Sequence, residues 1–203
     1  MGAIARIVLV AAVLVVGSRA SLAESGAENF IRTLADRALS LVTEPSASMP
    51  EKRVRFDALL NETFDMPAIG RFLLGRYWPL ATQEQREAYL KAFNENIVYT
   101  YTNRFNSYSG QTLSVDGSRE DGQFVIVTSR IIDPNGGPPV VLDWRLVKTG
   151  DDYKVIDLKI EDVSMSITLR REYASLIENN GRSVQALIDA LNKSMATLKA
   201  RNS

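Results

Sequence analysis

The chemistry open to this chain is bounded first by what it lacks. None of its 203 residues is His and none is Cys. The commonest general base and the commonest metal ligand are therefore absent, as are thiol nucleophiles, disulfides and thiolate metal centres. Ser-His-Asp and Cys-His catalysis are excluded on that ground. Carboxylates, Lys, Tyr, Ser and Thr are what remains. Asp143 and Asp157 fall within strand patterns, Glu161-Asp162 closes one, and Asp151-Asp152 sits in a turn. An inward Asp beside a Tyr could abstract a proton next to a carbonyl, but no spacing here demands it. Asp143 lies on the strand face opposite Trp144, and Asp157 shares a face with Lys159, so both read as solvated or cross-strand charges. Gly136-Gly137 is flanked by prolines and followed by a strand pattern, which makes it a turn rather than a phosphate cradle. No acidic cluster has the spacing of a calcium loop. Arg170, Arg171 and Arg182 lie near one helix. A solvated helix surface accounts for them, with a small patch at a pocket mouth or partner interface as the alternative. Lys and Arg together number 24 against 24 Asp and Glu, so there is no basic excess of the kind nucleic-acid binding uses.

Apolar and aromatic residues are the plentiful material. Tyr77-Trp78, Tyr89, Phe93, Tyr99, Tyr101, Phe105 and Tyr108 crowd one stretch. At helical spacing such a stripe is core or the wall of a ligand cavity, and periodicity does not separate the two. Elimination of catalytic groups favours a binding role. A ligand-free adaptor and an Asp/Tyr enzyme on a hydrophobic substrate stay open at this point.

The elements that must position these residues follow from spacing and punctuation. Residues 1–23 have the layout of a secretory signal: Arg6, an apolar run from Ile7 to Val16, and Ser21-Leu22-Ala23 with small residues before a cut. The run is too short for a confident membrane span, which needs about 20 residues. Export without Cys suggests a periplasm. Residues 24–203 read as a single domain. A first helix is expected over Gly26–Thr43, stopped by Pro45, and a second from Ser48, where Glu51 completes a capping box. Asp65 and Pro67 open a short third helix that Gly75 ends. Thr82 with Gln85 caps the longest helix, whose stripe runs through Leu90, Phe93, Ile97, Tyr101, Phe105 and Tyr108. Strands are expected at Thr112–Gly117, Gln123–Asp133, Val140–Lys148 and Tyr153–Ile160, separated by turn signals at Pro134–Pro138 and Gly150-Asp151. Two more helices follow, around Leu169–Ile177 and from Ser183 onward. The class is α+β, with a four-stranded antiparallel meander and helices before and after it.

The run Phe64-Asp65-Met66, then Leu74-Gly75-Arg76-Tyr77-Trp78, Ala81-Thr82-Gln83-Glu84-Gln85-Arg86, Phe93 and Thr100-Tyr101 resembles the MlaC family, the toluene-tolerance or periplasmic phospholipid-binding proteins of Gram-negative bacteria. Tyr153–Leu158, Val163-Ser164-Met165, Arg170, Tyr173 and Asn180-Gly181 follow the same pattern, over about Ala27 to Leu191. One departure is Asp162, where the family often has Gly before Val-Ser. The resemblance implies a curved sheet and helices, NTF2-like in general appearance, enclosing an apolar pocket. It implies a non-enzymatic periplasmic carrier with bound phospholipid as cargo and no cofactor or metal. The implied partners are an inner-membrane MCE-domain subunit of an ABC transporter and an outer-membrane lipoprotein–porin complex. Such a carrier would serve maintenance of outer-membrane lipid asymmetry.

Alternation and helix stripes, rather than family motifs, supply the expected lining. On the helices it is Phe72, Leu73, Phe93, Ile97, Tyr101, Phe105, Tyr173 and Ile177. On the strands it is Val125, Val127, Leu142, Trp144, Leu146, Ile156 and Leu158, with Val163 and Met165 near the edge.

Overall fold

The computed structural model describes residues 25–200, so the expected export signal at 1–23 lies outside the described residues. Capping chemistry sets most helix boundaries. α1 (Gly26–Thr43) starts where the Ser25 hydroxyl accepts from the Glu28 N–H. α2 (Met49–Thr63) opens on the Ser48–Glu51 capping box, and α4 (Gln83–Thr102) on the one formed by Thr82 and Gln85. Each box satisfies backbone donors at a helix start that have no partner within the helix. Asp65 accepts from Ala68 at the start of α3 (Met66–Leu74). Gly75, at φ 53°, ends α3 and leads into a 3₁₀ turn over Gly75–Leu80. α4 ends before its aromatic stripe does. Phe105 belongs to a separate 3₁₀ turn, Phe105–Ser107, and Tyr108 lies beyond it. Asn103, Asn106 and Ser107 are poor helix formers that break the run.

The sheet is an antiparallel meander in chain order: β1 (Thr112–Asp121), β2 (Phe124–Ile132), β3 (Val140–Thr149), β4 (Asp152–Ile160) and β5 (Val163–Ser164). It has five strands where four were expected. β5 is two residues long, too short to alternate visibly, and it folds back on β4 through Glu161 and Asp162, both at positive φ. β1 also continues past its expected end at Gly117. A bulge there sets Val115 opposite Ser129 and Gly117 opposite Thr128, so Asp116 is the extra residue and the alternation breaks. A second irregularity follows Arg145. Arg145 faces Asp157 while Leu146 faces Val155, leaving Ile156 as the extra residue of β4.

The packed interior is divided. One cluster is helical: Leu60, Leu73, Leu74, Tyr89, Phe93, Tyr173 and Ile177 with residues of α6 (Val184–Ala200), α5 being Met165–Asn179. The other lies between α1 and the inner sheet face and contains Ile31, Leu34, Leu59, Val115, Val127, Leu146 and Val155. Phe64 packs against both. It also forms a parallel bridge to Val155, and the Asp65 N–H donates to the Val155 carbonyl at 3.0 Å. That contact covers the β4 edge at Val155, where β5 does not reach.

Candidate functional site

Asp157, Glu161 and Asp143 are committed to structure. Asp157 accepts from the Ser164 hydroxyl at 2.7 Å and from the Ser166 N–H at 3.0 Å, and so caps the start of α5. Glu161 accepts from the Val141 N–H at 2.6 Å and holds the β4–β5 turn to β3. Asp143 lies on the outer sheet face, as its alternation predicts. Its two oxygens accept from Thr128 at 2.6 Å and Arg119 at 3.2 Å. Burial raises the Asp143 pKa, but those hydrogen bonds and the Arg119 charge outweigh it and hold the carboxyl below its ordinary range. Burial pushes the hydroxyls of Tyr89 and Tyr173 well above the usual tyrosine range, so neither is poised as a base. Among the described residues no group of three or more His, Cys, Asp or Glu side chains is arranged to hold a metal ion. No described helix is long and apolar enough to cross a membrane.

The expected lining residues do not share one pocket wall. Leu73, Phe93, Tyr173 and Ile177 are buried inside the helical cluster, and Ile97 packs on it. Val127 and Leu146 belong to the sheet cluster, with Val125 and Trp144 packed against them. The Trp144 Nε1–H donates to the buried Ser129 hydroxyl at 2.8 Å, which fixes the indole on the inner face. Phe105 is half-buried and meets Phe56 edge-on at 5.5 Å. Phe72 and Tyr101 are exposed, at 43% and 37%. Phe72 faces a separate surface recess beside Arg170. Ile156, the extra residue of its bulge, leaves the strict alternation, and Val155 takes the inward place that the pattern had given to Ile156.

One set remains apart from both clusters. Leu142 is buried at 3%, Leu158, Ile131 and Ile160 are half-buried, and Val140 and Val163 are exposed. The register joins them: Ile131 pairs with Val140, and Leu142 pairs with Ile160, which pairs with Val163. Leu158 follows two residues before Ile160 and pairs with Trp144. Alternation from Leu146 puts Leu142 and Val140 on the inner face. The result is a continuous apolar patch at the β2–β3 turn end of the inner face, beyond the part that packs on α1. Met165, half-buried at the start of α5, lies two residues after Val163. Sequence reasoning missed Ile131, Val140 and Ile160 as lining residues. For Ile131 and Val140 the signal is their pairing across the Pro134–Pro138 turn, which a hairpin register drawn from that turn supplies; for Ile160 it is the alternation shared with Leu158.

Comparison with known proteins places this geometry. The sequence model of the MlaC protein family matches residues 32–193. The chain is 29% identical over 129 residues to the intermembrane phospholipid transport system binding protein MlaC of Haemophilus influenzae, covering 62% of this chain and 59% of that one. It is 24% identical over 139 residues to the toluene tolerance protein ttg2D of Pseudomonas putida, covering 66% and 64%. The matched segments thus span less than two thirds of either relative. The fold is similar to that of the phospholipid-binding protein from Ralstonia solanacearum, solved in complex with a phospholipid. The TM-score is 0.76 over 86% of this chain and 99% of that one, at 24% identity.

Proposed function

The chain belongs to the MlaC family, and from that premise we propose that it is a phospholipid carrier of the bacterial envelope. The similarity to a phospholipid transport system binding protein and to a protein solved in complex with a phospholipid supports the cargo class. The observation that carries the reading for this chain is the inner-face patch of Leu142, Leu158, Ile160, Ile131, Val140 and Val163, continuous yet outside both packed clusters. Acyl chains lie along this patch, with Trp144 and Met165 beside it and Tyr101 and Phe105 on the helical side. Phe64, packed on both clusters, marks the seam along which sheet and helices part to admit longer chains.

The energetics fit a carrier rather than a trap. Each methylene removed from water is worth about 0.8 kcal/mol, so bare chains do not cross an aqueous gap. The competing state is a bilayer, which is equally apolar, so transfer in and out lies near balance. For the acyl chains, a large, smooth apolar surface therefore suffices. The lipid moves between an outer-membrane lipoprotein–porin complex and the MCE-domain subunit of an inner-membrane ABC transporter, with the protein itself in the periplasm after signal removal. No cofactor takes part.

Leu158 is only half-buried, so Leu158→Arg is expected to fold while placing a cation among the acyl chains. Protein purified without detergent then loses most of its co-purifying phospholipid, read by extraction and lipid mass spectrometry. A folded Leu158→Arg protein with a full complement of lipid would move the site off the sheet.

A further inference from the structure

The surface between α3, the Gly75–Leu80 turn and α5 carries chemistry that acyl-chain binding does not use. A recess of about 420 Å³ is lined by Phe72, Gly75, Arg76, Arg170 and Arg171 among others. An adjoining hollow of about 540 Å³ shares Phe72, Gly75 and Arg170 and adds Arg71. Arg170 is half-buried and held from two sides. Its guanidinium lies over the Phe72 ring at 4.7 Å. On the other side it runs so close to the backbone that a Cβ at position 75 would fall 2.8 Å from Nη2. Gly75 is required by its φ of 53°, and a side chain there would push the guanidinium out of its present place. The neighbouring cations are differently placed. Arg76 is paired with Glu178, and Arg86 donates to the Trp78 carbonyl. Among the described residues Arg170 has neither a carboxylate partner nor a hydrogen-bond acceptor for its guanidinium.

A guanidinium presents five N–H donors in a planar fork. Fixing that fork in a partly desolvated recess, with Arg71 and Arg171 alongside and Glu178 paired to the lining residue Arg76, leaves a site for an oxyanion with two acceptor oxygens. Phosphate has that geometry. We infer that this recess is a phosphate-binding site anchored on Arg170, which takes the phosphodiester of a phospholipid head group or free phosphate. Only the head-group source rests on the carrier reading. The site lies on the Leu74–Trp78 segment and is built from residues distinct from the inner-face patch.

The test is calorimetric titration of the full protein at fixed ionic strength with two probes, inorganic phosphate and glycerophosphoglycerol, a head group without acyl chains. The wild-type protein binds at least one of them. Arg170→Gln weakens that binding by about tenfold or more, and Arg170→Lys, which keeps the charge and loses the fork, falls between. Exposed Arg171→Gln provides a second reading should Arg170→Gln not fold, with a smaller loss expected. Tighter binding of glycerophosphoglycerol marks the lipid head group as the source, and tighter binding of inorganic phosphate marks the free ion; either supports the site. Failure of both probes to bind, or affinities unchanged in the folded Arg170 and Arg171 variants, overturns it. Lipid content is read in parallel by native mass spectrometry. A wild-type protein devoid of lipid would defeat the carrier reading and leave the phosphate site standing.

Discussion

Asp157 shows how a carboxylate in a suggestive place is spent on architecture. It sits one residue from a bulge, on a strand, near a helix start, and its oxygens accept from the Ser164 hydroxyl and the Ser166 N–H. Those bonds satisfy donors that the first turn of α5 cannot satisfy itself. Asp157→Ala is expected to cost about 1–2 kcal/mol, read as a lower urea midpoint, with lipid content unchanged. Loss of bound lipid at full stability would instead give this carboxylate a part in the site. The role is hidden in the sequence because the capping partners follow a turn at Glu161-Asp162 with both residues at positive φ. Alternation alone assigns Asp157 to a charged strand face, opposite Arg145, and says nothing of a helix that begins beyond the turn. Ile156 is obscured in the same way: one inserted residue exchanges its place with Val155.

At the scale of elements, local punctuation was readable and long-range pairing was not. α1 runs Gly26–Thr43, as its stripe and Pro45 predict, and the boxes at Ser48 and Thr82 open α2 and α4. These signals lie within four residues of the boundary they set. β5 pairs only Lys159 with Ser164 and Ile160 with Val163, so no periodicity announces it. The bulge at Asp116 and the division of the interior into two clusters depend on which surfaces meet, which spacing does not encode. That division is why Leu73, Phe93, Tyr173 and Ile177, correct as apolar stripe positions, prove to be helical core. Phe64 ties the two clusters together and bridges the β4 edge at Val155. Phe64→Ala is expected to destabilise by about 3 kcal/mol and to loosen sheet from helices. Hydrogen exchange would then quicken along β4 and α3 before the centre of α4. Uniform protection, with stability as in the wild type, would remove Phe64 as the tie.

For the whole molecule, the central question is whether two packed layers with an apolar seam form a container. An ordinary globular domain fills its interior mainly in one contiguous cluster, with smaller satellites. Here the helical layer and the α1–sheet layer each pack separately, and Leu142, Leu158, Ile160 and Ile131 lie between full burial and exposure or outside both. A seam of that kind lets acyl chains take the place of side-chain contacts without unfolding either layer. Balanced charge, 24 of each sign, suits the proposed carrier, whose contacts with the acyl chains are apolar. The most direct measurement is native mass spectrometry of the protein purified without detergent, followed by organic extraction and lipid analysis. The account predicts a stoichiometric phospholipid adduct that exchanges on incubation with vesicles of a different head group. A bare protein mass that stays unchanged after incubation with phospholipid vesicles would contradict it and leave the inner-face patch as apolar surface without a lipid.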